Sequence, residues 1–355
     1  MPLIHSYALW NNKGGVGKST ITYHLATRYA ELNPKKKVLV IDLCPQANSS
    51  MMLLGGGDNG EQKVLSNCTL ETPKTVVGYV SNVIANGRGA TLPDPYNFLV
   101  KVSSENKELP ENIFLLCGDG NLEPMAPAID NAASAPPLTI NDKPWQWVQN
   151  IFRTFIENLV KDDNEWMVFV DTNPSFAIYT QIAISGVKRL LAPINADDSS
   201  RTAAKALCIL LHGTTPPHPI YGAWTYASKA IANDISIPKI HLVIGNRLTQ
   251  FEGAAAAYEA ITDATADTLY EIFQNNSNYF TTSATPVSDL SSFRNSFSRP
   301  LRDFNTAGVV CAHLGKMLSS MKQGYYKVYG NDVKVNTDKI TECVRAIDEV
   351  INTIS

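Results

Sequence analysis

Short apolar runs that lack polar alternation recur along the chain, and they predict strands buried on both faces. These runs are residues 6–10, 38–41, 113–116, 167–170, 190–194 and 242–244. Between several of them the apolar residues recur four positions apart, as in residues 20–32 and 145–160, which is typical of helices. This alternation of strands and helices predicts an α/β fold, with a doubly wound, mostly parallel sheet flanked by helices.

Two stretches show no clear period. Residues 55–110 are rich in Gly, Asn, Ser and Pro, and residues 124–144 contain a proline-interrupted Ala/Ser-rich connection. We expect both to be peripheral elaborations of one domain that spans residues 1–330. Residues 331–355 carry an apolar stripe at helical spacing, but their polar face is more acidic than basic. A helix that binds a membrane surface needs a basic polar face, so we predict a C-terminal helix packed on the domain or on a partner.

A glycine-rich loop follows the first apolar run and reads Lys-Gly-Gly-Val-Gly-Lys-Ser-Thr over residues 13–20. Between a strand and a helix start, such a loop leaves backbone N–H groups free, and with the helix dipole these can hold phosphate oxygens. Lys18 can reach the outer phosphates, and the Ser19 hydroxyl can ligate Mg²⁺. The candidate nucleotide-binding residues are Gly14, Gly15, Val16, Gly17, Lys18, Ser19 and Thr20.

The spelling of this loop is narrower than that of the general P-loop. Asn12 stands where the strict Walker A pattern has its first glycine, and a second lysine, Lys13, precedes the glycines. In these residues the chain resembles the ParA branch of the ParA/MinD family of deviant Walker A ATPases. The resemblance implies a P-loop NTPase fold with ATP and Mg²⁺ as cofactors. It also implies that Lys13 reaches across a dimer interface to the partner's nucleotide; the alternative is a solvated loop lysine.

A second buried run ends in Asp42, which a water shell could connect to Mg²⁺, and Pro45 and Gln46 follow. This segment resembles the D-x-D-P-Q motif of the family. Asp42 is thus a candidate metal-binding residue and, together with Lys13 and Lys18, a candidate catalytic residue. Cys44 stands where the family has the second aspartate, which positions the attacking water. A neutral thiol cannot usefully accept that proton and is a poor partner for Mg²⁺. The alternative is that Cys44 is a small, half-buried residue that only fills space.

Two further segments complete the predicted site. Asp171 ends the run at residues 167–170 and resembles the Walker B-like D-x-P-P-S motif, with Asn173 in place of its first proline, so it is the third candidate metal residue with Ser19 and Asp42. For the adenine base, the resemblance points to Asn246 and to the loop at Pro286. An amide can both donate to and accept from adenine, although Asn246 could instead be a turn residue.

Composition narrows the class of protein further. The 355 residues carry a formal net charge of −3, which does not by itself indicate a nucleic-acid binder. The six cysteines show no paired spacing, as expected in a reducing cytoplasm. The sequence has no evident signal peptide and no apolar run of ~18 residues. We therefore expect a cytoplasmic protein of a bacterium or archaeon, with association with the nucleoid as one option.

The function implied by the resemblance is an ATP-dependent sandwich dimer that binds non-specific DNA or a protein surface and positions or segregates cargo such as a plasmid, a chromosome or a protein assembly. Slow hydrolysis, stimulated by a ParB-like or adaptor partner, would release it. A local excess of positive charge offers a DNA-binding surface, with a solvated helix face as the alternative. The residues concerned are Arg294, Arg299, Arg302, Lys316, Lys322 and Lys327.

Two other functions remain open from the sequence. Because Cys44 replaces the second aspartate, the chain could be a nucleotide-gated dimeric binding module with impaired hydrolysis. It could also be a metabolic P-loop enzyme, such as an ATP-dependent ligase or a relative of the nitrogenase iron protein. The latter needs paired cysteines at a dimer face, and Cys117 has no convincing second ligand in the sequence.

Overall fold

The structure, a computed structural model, describes residues 3–162, 164–195, 197, 199–214, 216–248, 254–302 and 304–355, with all their side chains except those of residues 247–248, 254–262, 302 and 305. The strands are β1 Leu3–Leu9, β2 Lys37–Leu43, β3 Val100–Lys101, β4 Ile113–Leu116, β5 Trp166–Thr172, β6 Arg189–Asn195, β7 Lys239–Leu248, β8 Ser298–Arg302, β9 Gly324–Val328 and β10 Asn331–Val335. The helices are α1 Lys18–Leu32, α2 Asn48–Leu53, α3 Gly57–Cys68, α4 Val76–Asn86, α5 Val102–Glu105, α6 Leu122–Ser134, α7 Pro144–Gln149, α8 Ile151–Leu159, α9 Ile178–Ser185, α10 Ser199–His212, α11 Tyr226–Ala232, α12 Ala254–Asn275, α13 Leu290–Phe297, α14 Asn305–Leu314 and α15 Thr337–Ile354.

Strands β1 to β8 form one sheet, in the order β3-β4-β2-β5-β1-β6-β7-β8. Every neighbouring pair is parallel except β3 and β4, which are antiparallel. The predicted doubly wound, mostly parallel sheet is therefore confirmed, and each of the six predicted runs overlaps one of its strands. The two edge strands, β3 and β8, were not predicted, because β3 has two residues and β8 carries a proline at its centre.

The sheet separates two hydrophobic cores. Side chains alternate along each strand, so Ala8 and Trp10 face one core while Tyr7 and Leu9 face the other, and all four are fully buried. Helices α4, α6, α8 and α9 contribute to the first core, and α1, α2, α14 and α15 to the second. Because β2, β5 and β1 are parallel neighbours, their carboxyl ends lie at the same edge of the sheet, where α1 begins.

The two stretches that we expected to be peripheral are built into the fold. Val76 and Tyr79 of α4 lie in residues 55–110, Ile129 of α6 lies in residues 124–144, and all three are fully buried in the first core. Thr75 caps the N-terminus of α4, because its hydroxyl accepts a hydrogen bond from the Gly78 amide at 3.0 Å. Their polar composition reflects the turns between these short helices.

The C-terminal helix α15 packs on α1 and β8 of the same chain. Val350 and Ile354 on its apolar stripe are fully buried. The Tyr7 hydroxyl donates to the Ile354 carbonyl oxygen at 2.8 Å, and the Arg28 guanidinium donates two bonds to the Asp348 carboxylate, at 2.7 and 2.9 Å. The chain's own residues thus cover the stripe.

The boundary of this terminal segment differs from the prediction. Residues 331–335 form strand β10, paired antiparallel with β9, and the helix begins only at Thr337. In β10 the side chain of Val335 is buried and that of Lys334 is exposed, which is the period of a strand. Among the described residues, no helix is both long enough and apolar enough to cross a bilayer.

Candidate functional site

The P-loop at residues 13–20 connects β1 to α1. Gly15 and Gly17 have φ of +71° and +83°, in the left-handed region that favours glycine. A side chain at Gly17 would also collide with the Asn246 amide. No side chain caps the N-terminus of α1, so its first N–H groups and its dipole are available to an anion. All seven predicted loop residues, Gly14 to Thr20, line a cavity of about 790 Å³.

Lys18 lies folded back over this loop and is 6% exposed. Its ammonium group donates to the carbonyl oxygens of Asn11 at 3.3 Å and Lys13 at 3.2 Å. Burial lowers the pKa of Lys18, and the charge of Asp171 opposes that shift. Because bonds from an ammonium to a phosphate are stronger than bonds to a carbonyl, Lys18 is placed to exchange these partners for a phosphate.

Asp42 and Asp171 lie side by side at the ends of β2 and β5, and neither is exposed. The Asp42 carboxylate accepts from the Cys44 amide at 3.1 Å and from the amide and hydroxyl of Ser50 at 2.9 and 2.7 Å. At both carboxylate oxygens of Asp171, in contrast, no donor within the described part of the chain has good hydrogen-bond geometry, although the hydroxyls of Ser19 and Ser49 lie near enough to interact weakly. Burial, then the charge of Asp42, raises the pKa of Asp171 to about 7, against the opposing effect of the Ser19 hydroxyl.

This pair of carboxylates fits a magnesium site. Two buried carboxylate oxygens without a well-formed hydrogen bond and a neighbouring hydroxyl, that of Ser19, are the oxygen donors that Mg²⁺ prefers. Among the described residues, no cluster of three or more His, Cys, Asp or Glu side chains could hold an ion by itself. An ion beside Asp171 would therefore need phosphate oxygens and waters to complete its shell, as Mg²⁺ in nucleotide sites usually has.

We expect the unliganded protein to lose stability as the pH rises through 7. The folded-state pKa of Asp171, about 7, exceeds its ordinary value of 3.8, so this carboxyl stabilises the fold fully below pH 3.8 and progressively less as the pH rises to 7. Asp171 alone should contribute at most about 1.4 kcal/mol per pH unit to the slope. Urea unfolding in a metal chelator at several pH values measures it. Asp171→Asn should flatten the profile and be the more stable protein above neutral pH; an unchanged profile would contradict the assignment.

Cys44 is 7% exposed and lines the cavity beside the P-loop. Burial, followed by the negative charges of Asp42 and Asp171, raises the pKa of Cys44 to about 12. At neutral pH the side chain is thus a neutral thiol, and it can act neither as a carboxylate-like base nor as a charged ligand. As expected from the sequence, the structure has no acidic side chain at position 44.

Lys13, the front lysine, does not line the cavity within the described residues. Its ammonium group contacts the Asp197 carboxylate and donates to the Ser199 hydroxyl at 2.6 Å, at the start of α10. Burial raises the pKa of Asp197, but the hydrogen bonds from Lys13 and Ser199 outweigh this and lower it overall. The side chain of Lys13 is 25% exposed. Its charge is therefore partly exposed and paired with Asp197, and neither residue lines the cavity as described.

The two residues predicted to contact the base are not in the cavity. Asn246 lies near the end of β7 and is 4% exposed. Its amide donates to the Val16 carbonyl oxygen at 2.9 Å, and this bond helps to hold the P-loop in place. Pro286 lies in an exposed loop before α13 and is absent from the cavity lining among the described residues. A contact of either residue with adenine stays a prediction.

The cavity also has a wall that the sequence reasoning missed. Beyond the P-loop it is lined by Cys44, Gln46, Asn48, Met51, Met52, Gly57, Glu61, Thr172, Asn173, Pro174, Ala312, His313 and Tyr329. His313 and Tyr329 come from α14 and from the turn between β9 and β10. For Tyr329, the sequence offers one indication: Gly330 follows it between two short alternating runs, which favours a hairpin turn there.

Half of the residues of the predicted basic surface form ion pairs in the fold. Arg294 forms ion pairs with Asp263 at 2.9 Å and Asp267 at 3.5 Å. Arg299 donates to backbone carbonyls of its own segment, and Lys316 and Lys327 pair with Glu108 and Asp332, both at 3.4 Å. The side chain of Arg302 lies outside the described residues, and Lys322 follows α14. Acidic side chains thus neutralise three of the six residues, Arg294, Lys316 and Lys327.

The cysteines do not indicate a cluster site. None of the six, all within the described residues, forms a disulfide bond, and Cys117 is fully buried within the second core. Burial raises the pKa of its thiol well above the usual range. A cluster shared across a dimer face needs accessible thiolates, so Cys117 does not fit the alternative of an iron-protein relative.

Comparison with known proteins agrees with this geometry. Residues 5–114 match a family model described as an AAA domain. Apo McdA of Cyanothece has the same fold, with a TM-score of 0.58 and 13% identity over 98% of each chain. A plasmid partition protein of Borrelia burgdorferi B31 bound to AMPPNP has a TM-score of 0.51 and 16% identity, over 98% of this chain and 97% of that one. ParA of pNOB8 also has a TM-score of 0.51, with 18% identity over 98% and 99% of the two chains.

The P-loop motif, the family match and the shared fold all indicate the same kind of protein, although they cover different parts of the chain. The P-loop lies within the matched residues 5–114, and the shared fold extends over nearly all of the chain. The predicted resemblance is therefore confirmed at the level of fold: the chain has the fold of the McdA and ParA structures, and its residues 5–114 match the AAA-domain family model.

Proposed function

We propose that this chain is a ParA-like ATPase switch, in which ATP closes two copies face to face around two nucleotides. The observation that carries this proposal is the position of Lys13. Its ammonium group is held at the surface by Asp197 and Ser199, while Lys18 serves the chain's own cradle. A partly exposed ion pair is weak and can exchange partners, so Lys13 can turn to the γ-phosphate bound by a second copy.

Within each copy, the P-loop N–H groups would bind the phosphates and Lys18 would neutralise the outermost ones. Ser19 and Asp171 would hold Mg²⁺, with Asp42 beside them, and the ion would neutralise charge on the β- and γ-phosphates. ATP as the nucleotide is supported by two neighbours in fold. A variant of Cyanothece McdA was solved as its complex with ATP, at a TM-score of 0.56 and 13% identity, and the Borrelia protein was solved with AMPPNP.

The dimer would then bind a larger surface and position a cargo. We take the surface to be non-specific DNA or a protein, and the cargo a plasmid, a chromosome or a protein assembly in the cytoplasm. A ParB-like or adaptor partner would stimulate slow hydrolysis to ADP and phosphate, and thereby release. The names of the neighbours, plasmid partition protein and ParA, support this class of function. DNA phosphates would have to replace the acidic partners of Arg294, Lys316 and Lys327.

A second candidate function is a nucleotide-gated dimer with little turnover. The neutral thiol of Cys44, whose pKa of about 12 leaves no base at this position, favours it. The two functions share nucleotide binding and dimerisation and differ only in the rate of hydrolysis. Rapid ATP turnover by the unmodified protein, with or without DNA, would exclude this second function.

The test of the switch is the mass of the protein in solution. We expect a monomer without nucleotide and with ADP, and a dimer with ATP or AMPPNP in the presence of Mg²⁺. Light scattering after size exclusion measures this, and the same runs with added duplex DNA show whether the dimer alone binds it. A protein that binds ATP but stays monomeric in every state would contradict the proposal.

Lys18→Ala tests the cradle separately from the dimer. Because a hydrogen bond to a charged group contributes about 1.5–3 kcal/mol, we expect ATP to bind about 10- to 150-fold more weakly. Titration calorimetry measures the affinity, and Lys35→Ala, at an exposed lysine away from the loop, is the control. Equal affinity of the Lys18 variant and the unmodified protein would place the phosphates elsewhere.

A further inference from the structure

The cavity of about 790 Å³ continues from the P-loop past Cys44 and α2 to the first turns of α3 and the carboxyl end of α14. The charges of Asp42 and Asp171 raise the pKa of Cys44, so this side of the cavity is the one beside the carboxylate pair. In the proposed function, the terminal phosphate and the water that attacks it lie on this side. That water loses a proton during hydrolysis, and a side chain placed to accept the proton accelerates the reaction about 10²- to 10⁴-fold.

The side chains at the carboxylate pair are poorly suited to accept that proton. The Cys44 side chain is a neutral thiol, because its pKa is raised to about 12. The Asp42 carboxylate already accepts three hydrogen bonds, and neither Asp42 nor Asp171 lines the cavity within the described residues. Among the described residues that do line it, only Glu61 of α3 carries a carboxylate and only His313 of α14 carries an imidazole. These two side chains are therefore the candidates for the proton acceptor.

His313 is held at the cavity by close backbone packing. Gly55, Gly56 and Gly57 all have positive φ and lie against the carboxyl end of α14. A side chain at Gly56 would collide with the carbonyl oxygens of Ala312 and His313, and one at Gly57 would lie 2.9 Å from the His313 ring. The glycines therefore let α14 approach closely enough for the imidazole of His313 to reach the cavity.

Tyr329 contacts the same imidazole from the turn between β9 and β10. The two ring centroids lie 4.6 Å apart, and both residues line the cavity. The φ of Tyr329 is +47° and that of Gly330 is +83°, as in a two-residue turn that favours Asn, Asp or Gly at both places. A tyrosine there is strained, and such strain persists only where the surrounding structure holds it. Contacts with α3 and with the hairpin thus fix the ring of His313.

Glu61 is not fixed in this way. It lies one turn beyond Gly57 on α3 and is exposed, and within the described residues no hydrogen bond or ion pair holds its carboxylate. Side chains that are locked by packing are more effective at a reactive site than side chains that are free to move. The structure therefore favours the imidazole of His313 over the carboxylate of Glu61.

We propose that His313 is the general base of ATP hydrolysis in this chain. The inference rests on the proposed ATPase function and names the residue that receives the proton. As the oxygen of the attacking water forms its bond to the γ-phosphorus, an imidazole nitrogen of His313 accepts a proton from that water, directly or through one further water. The bond from the γ-phosphorus to the oxygen that bridges it to the β-phosphate breaks, and ADP leaves with the electron pair. The imidazolium then returns its proton to the solvent.

The test is the rate of a single turnover of ATP with Mg²⁺ and the protein in excess. His313→Gln keeps a polar side chain of similar size but cannot accept the proton, so hydrolysis should slow about 10²-fold while the ATP affinity and the ATP-dependent mass in solution stay the same. His313→Ala should slow hydrolysis as much. Added imidazole should restore much of the rate in this variant, because the free base can occupy the space that the ring leaves. A residue with only a structural role would not be rescued in this way.

His218→Ala is the matched control, because His218 stacks on Tyr221 outside the cavity lining among the described residues. Neither its rate nor its response to imidazole should differ from that of the unmodified protein. An original rate in His313→Gln, no rescue of His313→Ala by imidazole, or a loss of rate in Glu61→Gln alone would each overturn the inference. So would a protein that dimerises with ATP but hydrolyses none of it. A protein that neither binds ATP nor dimerises would instead overturn the proposed function.

Discussion

Lys13→Ala is expected to abolish ATP-dependent dimerisation and to lower ATP turnover about 10³-fold. The reason is electrostatic. A cation supplied from a second subunit stabilises the charge that develops on the transferred phosphate, and without Lys13 only water would stabilise that charge. In the unliganded chain the Lys13 ammonium binds Asp197 and Ser199, outside the chain's own cradle. Its loss should therefore affect the closed dimer far more than the monomer.

The matched control for this prediction is the binding of ATP to the monomer. Because Lys18 and the loop glycines are unchanged, Lys13→Ala should bind ATP with nearly the affinity of the unmodified protein. Phosphate release under Mg²⁺ and mass by light scattering are the two measurements. If the variant still dimerises with ATP and hydrolyses it at the original rate, Lys13 is a solvated loop residue and the proposed switch is wrong.

Cys44→Asp is expected to raise the rate of ATP hydrolysis about 10²-fold. At neutral pH the native side chain is a neutral thiol, because burial and the charges of Asp42 and Asp171 raise the pKa of Cys44 to about 12. A carboxylate at the same place in the cavity can orient an attacking water and accept its proton. Single-turnover hydrolysis with Mg²⁺ and ATP separates this step from release of the product.

Cys44→Ser is the control for this second prediction, since it keeps the volume and the neutral charge. Its rate should stay near that of the unmodified protein. In the absence of Mg²⁺ the aspartate variant should also unfold at a lower temperature, because a third buried carboxylate beside Asp42 and Asp171 is unfavourable. Equal rates in the aspartate and serine variants would show that position 44 does not limit hydrolysis.

The parts of the site that could be predicted are those in which chemistry follows a buried strand directly. The P-loop after β1, Asp42 at β2 and Asp171 at β5 each end an apolar run, and parallel strands bring their carboxyl ends to one edge of the sheet. The pairing of Asp42 with Asp171 then follows from the topology alone. The departure at Cys44 was also visible, because it interrupts a short and well-spaced motif.

The parts that could not be predicted depend on contacts between distant segments. Tyr329 and His313 reach the P-loop from about 300 positions away, and neither has a local pattern that indicates a ligand. The charge balance of Arg294 likewise depends on Asp263 and Asp267 of another helix. The helix predicted over residues 145–160 is two helices that meet at Asn150, because this residue, with φ of −87° and ψ of 1°, departs from helical geometry. Periodicity shows neither pairing nor such breaks.

The packing of Gly55–Gly57 against the end of α14 has a consequence for how this sequence can change over time. Gly315 ends that helix with φ of +59°, and a methyl group on it would press into the backbone of Gly55, as one on Gly56 would press into the helix. A single substitution on either side is therefore blocked by the other. Sequences that descend from this one should therefore change the two segments together or keep the glycines in both.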